Sequence, residues 1–157
     1  MLVFRKGNQV EIRILQAGEE DLLARVAPEV FDDEIHRERA REFVRDPRHH
    51  LVVAVDEGVI VGFVSAVHYV HPDKPTPELW LNEVGVAPTH QGRRLGRMMM
   101  DAALDLGRRL GCAQAWVLTE RTNTAAMRLY ASAGGEEFES ETVMFTFYLQ
   151  EGDSDED

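Results

Sequence analysis

Apolar positions recur along this chain with two distinct periods, and the periods predict its elements. Val10-Glu11-Ile12-Arg13-Ile14-Leu15 alternates and predicts a first strand. Asp21 to Val26 predicts a short helix that Ala27-Pro28 interrupts, and Glu34 to Arg45 predicts a second helix ended by Asp46-Pro47, with Asp32 and Asp33 as caps. Leu51 to Val55 and Val59 to Tyr69, joined through Asp56-Glu57-Gly58, predict a hairpin. His49-His50 just before it reads as ordinary loop sequence. The Pro-rich run from His71 to Pro77 has no helical option. Leu79 to Val86 predicts a strand. A helix from about Arg93 to Leu110 follows, with Leu95, Met98, Met99, Ala102, Ala103, Leu106 and Leu110 on one broad face and Gly111 as its stop. Ala115 to Thr119 predicts a strand, Asn123 to Ala133 a helix, and Thr142 to Leu149 a last strand. Strands and helices in this order predict a mixed α/β sheet.

The junction between the strand Leu79–Val86 and the helix after it carries the chemistry. It reads Val86-Ala87-Pro88-Thr89-His90-Gln91-Gly92-Arg93-Arg94-Leu95-Gly96-Arg97. The first N–H groups of a helix have no intrahelical acceptor, and the helix dipole adds positive potential there. Arg93, Arg94 and Arg97 add formal charge, so the expected ligand is a phosphate or pyrophosphate. A P-loop needs Lys-Ser or Lys-Thr, which is missing, and Gly92-x-x-x-Gly96 misses the dinucleotide spacing G-x-G-x-x-G.

The junction resembles the acetyl-CoA loop of the GNAT superfamily of N-acetyltransferases, Gln/Arg-x-x-Gly-x-Gly/Ala after Val-x-Pro. Gln91, Leu95 and Gly96 match, and Arg94 stands where the family usually has Gly. Downstream, Asn123-Thr124-Ala125-Ala126-Met127-Arg128-Leu129-Tyr130 and Gly134 resemble the family's Asn-x-x-Ala-x-x-Leu-Tyr-x-x-x-Gly helix. The resemblance implies the GNAT fold, a mixed central sheet flanked by helices. In it the strands Leu79–Val86 and Ala115–Thr119 splay apart and hold the CoA arm between them. It implies acetyl-CoA as co-substrate and direct attack of an amine on the thioester in a ternary complex. No metal is expected, because His68 and His71 lie in a strand and loop, where their i, i+3 spacing has no special meaning.

Acetyl transfer to an amine requires a base for the amine, stabilisation of the thioester oxygen, and a proton for the departing thiolate. Glu83, in an otherwise apolar strand, is the candidate base, expected to be tuned by partial burial. Its alternative is a solvent-facing strand residue. Tyr130, two helical turns after Asn123, is the candidate acid, and otherwise a core tyrosine. Asn123 reads as a helix cap, and the resemblance adds a contact to the CoA arm. Val84, Gly85 and Val86 are expected to bond the pantetheine through their backbone, with Gly85 permitting close approach. Gln91, Gly92, Arg93, Arg94, Leu95, Gly96 and Arg97 are expected at the pyrophosphate, with Arg94 in ordinary helical conformation. On the acceptor side, Phe31-Asp32-Asp33 and Glu83 are similar to the aminoglycoside 3-N-acetyltransferase (class I) branch. Asp32 and Asp33 are then candidate ligands for a polycation, or only caps for the next helix. Tyr69, with His68, His71 and Asp73, is placed at the border of the acceptor pocket.

Composition narrows this reading. The chain has 157 residues, 44% hydrophobic and 29% charged, which suits one domain over 1–150. Its net charge is −11, and the tail from Glu151 to Asp157 holds five of the negatives, leaving the body near −6. The tail 151–157 is expected to be disordered, and an acidic body favours a small cationic amine over nucleic acid. Cys112 is the single cysteine, so no internal disulfide forms. No apolar run is long enough to span a bilayer, and no basic-then-apolar leader opens the chain, so a cytoplasmic location is expected. The apolar edge of Thr142–Leu149 suggests a homodimer. Two other functions stay open: acetylation of proteins or peptides, and a non-catalytic acyl-CoA binding module.

Overall fold

The computed structural model describes residues 3–7, 10–138 and 143–150. The tail 151–157 lies outside the described residues, as does Thr142.

The sheet has six strands in chain order: β1 (Val3–Gly7), β2 (Val10–Ile14), β3 (His49–Asp56), β4 (Val59–Tyr69), β5 (Glu78–Val86) and β6 (Ala115–Val117). Neighbours from β1 to β5 are antiparallel, and β6 runs parallel to β5. The helices are α1 (Arg37–Arg45), α2 (Leu95–Arg109) and α3 (Thr124–Ser132), and single 3-10 turns span Glu20–Ala24 and Pro88–His90.

Strands β3 and β4 are buried on consecutive residues, Leu51–Val55 and Ile60–Ala66, so both faces of the sheet are covered. Adjacent residues of β4 identify the covers. A Cβ at Gly62 would touch Met99 of α2, while the ring of Phe63 stacks on Phe31 at 3.9 Å. Helix α2 therefore lies on one face, and the segment between β2 and α1 lies on the other. Met99, fully buried, sits on the α2 face with Leu95, Ala102 and Ala103, as the helical period predicts, and Met100, outside that expected face, is buried as well.

Several boundaries differ from expectation. β1 was not foreseen, because its residues carry no long alternation. The helix expected from Glu34 begins at Arg37, with His36 at its N-cap, so Asp32 and Asp33 cap nothing and stand exposed in the loop. The first helix is a 3-10 turn. The pair His49-His50 opens β3 rather than lying in a loop. Over residues 143–149 the expected last strand is not found: they carry no regular secondary structure and are exposed, and no strand among the described residues offers them backbone partners.

Candidate active site

β5 leaves β6 in the middle of its length. The two strands pair at Leu79 with Ala115, Trp80 with Trp116 and Leu81 with Val117, and the pairing stops there. The next residue, Asn82, is a bulge on the other edge, since Ser65 of β4 faces Glu83 while Ala66 faces Leu81. From Glu83 to Val86 the strand is held by β4 alone, and its outer edge has no strand partner among the described residues. An edge of this kind offers N–H and C=O groups to an extended chain.

The closed end of this V is pinned by Glu78. Its carboxylate accepts hydrogen bonds from the Tyr69 hydroxyl at 2.7 Å, Gln114 at 3.1 Å and Lys74 at 3.4 Å, and the Trp116 indole N–H donates to the Tyr69 oxygen at 2.7 Å. The bond from Tyr69 is the main cause that holds the Glu78 carboxyl below its ordinary range. Burial, and then the bond to Glu78, raises the Tyr69 phenol. The indoles of Trp80 and Trp116 stack at 5.5 Å across the same pairing. Tyr69 is thus engaged in holding β4, β5 and β6 together, opposite Glu78 and at the far end of β5 from Gly85. Of the residues expected beside Tyr69 at an acceptor pocket, His68 shares a hydrogen bond with His50 at 2.7 Å, and His71 lies 3.5 Å from Glu78.

Beyond the open edge, Val86 leads through the 3-10 turn into α2. The first intrahelical bond is Met98 N–H to Arg94 O at 3.0 Å, so the amides of Leu95, Gly96 and Arg97 have no acceptor one turn back. Arg94 is the N-cap, at φ 61° and ψ 16°. This left-handed conformation corrects the expectation of a helical Arg94: the turn demands the geometry that glycine adopts without penalty, and Arg94 adopts it with one. Gly92 precedes it at φ 75°. Gln91, Gly92, Arg93 and Arg94 are exposed. Gln91 donates to Val86 O at 3.2 Å and ties the loop to β5. Arg97 is bonded to Asp101 at 2.9 Å and to the Ser132 carbonyl at the end of α3, so its guanidinium has protein acceptors already.

Glu83 is exposed, so the partial burial expected of it is not found. Its orientation follows from register. Cross-strand partners share a face, and Glu83 faces Ser65 as Gly85 faces Phe63. A Cβ on Gly85 would meet the Phe63 ring and the Val30 carbonyl, so Gly85, Ser65 and Glu83 all lie on the face covered by the segment 27–36. The space at Gly85 is thus taken by the protein's own loop. Ser65 was not foreseen. It is buried, and its Oγ has no hydrogen-bond partner among the described residues. A serine in an apolar strand, cross-strand from the candidate base, was the signal that pattern reading passed over.

The same loop borders a cavity of about 850 Å³, lined by Glu20, Asp21, Asp32, Asp33 and Glu34, with Arg37 and Arg41. Phe31 also lines it and stacks on Phe63, the residue opposite Gly85. Asp32 and Asp33 therefore belong to an acidic hollow on the Glu83 face of the sheet.

α3 supplies the remaining candidates. Asn123 Oδ1 accepts from Ala126 N–H at 3.1 Å, so it caps the helix as its residue type predicts. Tyr130 is half-buried against the core, and burial raises its phenol above the ordinary value. α3 packs against α2 at Gly96, where a Cβ would stand in ordinary contact with the Leu129 side chain at 3.4 Å. An anion-accepting helix start, an open strand edge and a protonated phenol on the neighbouring helix together suit a thioester whose carrier ends in phosphates.

Residues 18–134 match the model of the acetyltransferase (GNAT) family. A mycothiol acetyltransferase of Saccharopolyspora erythraea is 38% identical over 96 residues, which are 60% of this chain and 29% of that protein. The chain thus spans less than a third of the length of that relative. Among solved structures, an aminoglycoside acetyltransferase from an uncultured soil metagenomic sample, in complex with trehalose, superposes with a TM-score of 0.77 at 18% identity, over 91% of this chain and 98% of that one. Aminoglycoside N-acetyltransferase AAC(6')-Iy, in complex with CoA, superposes with a TM-score of 0.69 at 22% identity, over 94% and 99%. At these identities the two structures show the shared fold.

Proposed function

The chain belongs to the GNAT family of acetyltransferases, and on that footing we propose that it moves an acetyl group from acetyl-CoA onto the primary amine of a small cationic acceptor. The observation that carries this reading is the parting of β5 from β6 after Leu81, which leaves Glu83–Val86 with an open edge leading into the unsatisfied first turn of α2.

The residues fit the co-substrate. The amides of Leu95, Gly96 and Arg97, with the guanidiniums of Arg93 and Arg94, would hold a pyrophosphate. The edge of Val84, Gly85 and Val86 would hold the pantetheine arm, with Asn123 at its other side. Acetyl-CoA supplies the activated acetyl group. Glu83 takes the proton from the acceptor's ammonium, because only the neutral amine attacks. Tyr130 keeps its proton at Oη and presents it to the departing thiolate. Attack is direct, in a ternary complex, and Cys112 takes no part: its thiol is raised by burial, which disfavours a thiolate nucleophile.

The acidic hollow of Asp32 and Asp33 supports a cationic acceptor. An aminoglycoside is the first candidate, as Phe31-Asp32-Asp33 and Glu83 are similar to the class I 3-N branch. That two fold neighbours are themselves aminoglycoside acetyltransferases agrees with it. Among the described residues no helix is long and apolar enough to cross a membrane.

The test is release of free CoA from acetyl-CoA over a panel of aminoglycosides, polyamines, amino acids and short peptides. Release that depends on an aminoglycoside or polyamine is the expected result. Release with peptides alone would reassign the acceptor to proteins. Tight acetyl-CoA binding with no release across the panel would favour a binding module.

A further inference from the structure

The loop that leads into the first turn of α2 is held to the β3–β4 hairpin by one of its own side chains. Of residues 88–94, His90 alone is not exposed. Its Nε2 lies 2.7 Å from Asp56 Oδ2, and its Nδ1 lies 2.8 Å from Thr89 Oγ1. A carboxylate only accepts, so Nε2 carries the proton and donates to Asp56. Asp56 pairs with Val59 to close the hairpin, and the turn between them has left-handed backbone at Glu57 and Gly58. The side chains of His90 and Asp56 are 15% and 24% exposed, so their bond is little screened by salt.

Backbone bonds complete the seat. Ala87 N–H donates to Val61 O of β4 at 2.8 Å, and His90 N–H donates to Ala87 O at 2.8 Å. Beyond His90 the chain passes through two left-handed residues, Gly92 and Arg94, before Leu95 is buried. An exposed loop with a strained arginine has other conformations open to it, and ordering such a loop on binding costs affinity. A bond to a buried hairpin removes those conformations before the ligand arrives. A histidine in this loop would pass for a direct phosphate ligand, but both of its ring nitrogens have protein partners.

We propose that His90 and Asp56 are a positioning pair for the pyrophosphate of the co-substrate. Their bond seats loop 88–94 on the β3–β4 turn and so holds the free amides of Leu95, Gly96 and Arg97 in the geometry that accepts the anion. Asp56 acts through His90, and Thr89 fixes the ring through Nδ1. The β3–β4 turn, which lies outside the junction motif, thus belongs to the support of the CoA site. This inference rests on the acetyl-CoA reading above.

Calorimetric titration of the full chain with CoA, and separately with ADP, which carries a pyrophosphate without the pantetheine arm, tests it. His90→Phe and Asp56→Ala are each expected to weaken both ligands roughly tenfold, the usual contribution of a hydrogen bond to a charged group. The double variant is expected to lose no more than either single one, since one shared bond is removed. His90→Gln, whose amide N–H can reach Asp56, is expected to restore most of the affinity, which a space-filling role would not give. In turnover, KM for acetyl-CoA is expected to rise with kcat and the acceptor's KM level. Variants that bind CoA and ADP as well as a binding-competent parent would overturn the inference and leave the acetyl-CoA reading standing. Additive losses in the double variant, or no rescue by His90→Gln, would overturn it equally. A parent that binds neither ligand would overturn the acetyl-CoA reading and this inference with it.

Discussion

The carbonyl oxygen of Val30 lies so close over Gly85 that a Cβ there would stand 2.3 Å from it. The loop that carries Phe31, Asp32 and Asp33 is therefore seated on the strand that carries Glu83, through a position where only glycine fits. Any added side chain at Gly85 must push away either this loop or the Phe63 ring.

Gly85→Ala is accordingly expected to destabilise the fold by roughly 1–3 kcal/mol, the usual range for overpacking. Thermal melting reads this as a fall of several degrees in Tm. Turnover is expected to fall more than acetyl-CoA affinity, because the displaced loop lies on the acceptor side. A variant with unchanged Tm and rate would show that the loop is not seated there.

Glu83→Gln is expected to lower kcat/KM by about 10²–10⁴-fold near neutral pH, the range for loss of a positioned base. The deficit is expected to shrink as pH rises toward the pKa of the acceptor amine, since an amine already neutral needs no base. A deficit that stays constant with pH would remove Glu83 from proton transfer.

Tyr130→Phe is expected to lower kcat by about 10²-fold or more while KM for acetyl-CoA changes little. Burial raises the phenol above its ordinary 10.0, so in the parent enzyme Tyr130 contributes no falling limb to the rate below that pH. Full activity in the variant would mean that the thiolate leaves without its proton.

Arg94→Gly is expected to stabilise the protein, by up to about 1 kcal/mol, because a left-handed residue with a Cβ is strained where glycine is not. KM for acetyl-CoA is expected to rise modestly, because the guanidinium offered to the pyrophosphate is lost. Arg94→Val, branched at Cβ, is expected to lower Tm and raise that KM further. Equal behaviour of the two variants would show that the backbone conformation at Arg94 is irrelevant to the site.

The imidazoles of His50 and His68 share a hydrogen bond at 2.7 Å, and burial, then the neighbouring His68, lowers His50 to about 4 from 6.5. The unfolded chain therefore binds a proton at His50 that the folded chain refuses. The stability from keeping His50 neutral is complete above about pH 6.5 and is lost as pH falls toward 4. His50→Phe is expected to melt with a shallower loss of Tm across this window than the parent. Parallel Tm curves would show that His50 does not titrate differently on folding.

Local pattern determined much of this protein. Alternation from Val10, the hairpin through Gly58, the helix from Leu95 with Met99 inward, the stop at Gly111 and the cap at Asn123 are all set by residues a few positions apart. Such interactions act within one element, and so they are legible in order along the chain. The junction from Val86 to Arg97 was readable as an anion site for the same reason. Tertiary structure decided the rest. The parting of β5 and β6 after Leu81 depends on which strands become neighbours, and no period in the sequence encodes it. The left-handed backbone at Arg94 is imposed by the turn, against the residue's own preference. Asp32 and Asp33 were offered as helix caps by residue type, but packing starts α1 at Arg37 and leaves them in the hollow. The segment 143–149 has every local property of a strand, yet none is found there, and no strand among the described residues supplies its hydrogen bonds.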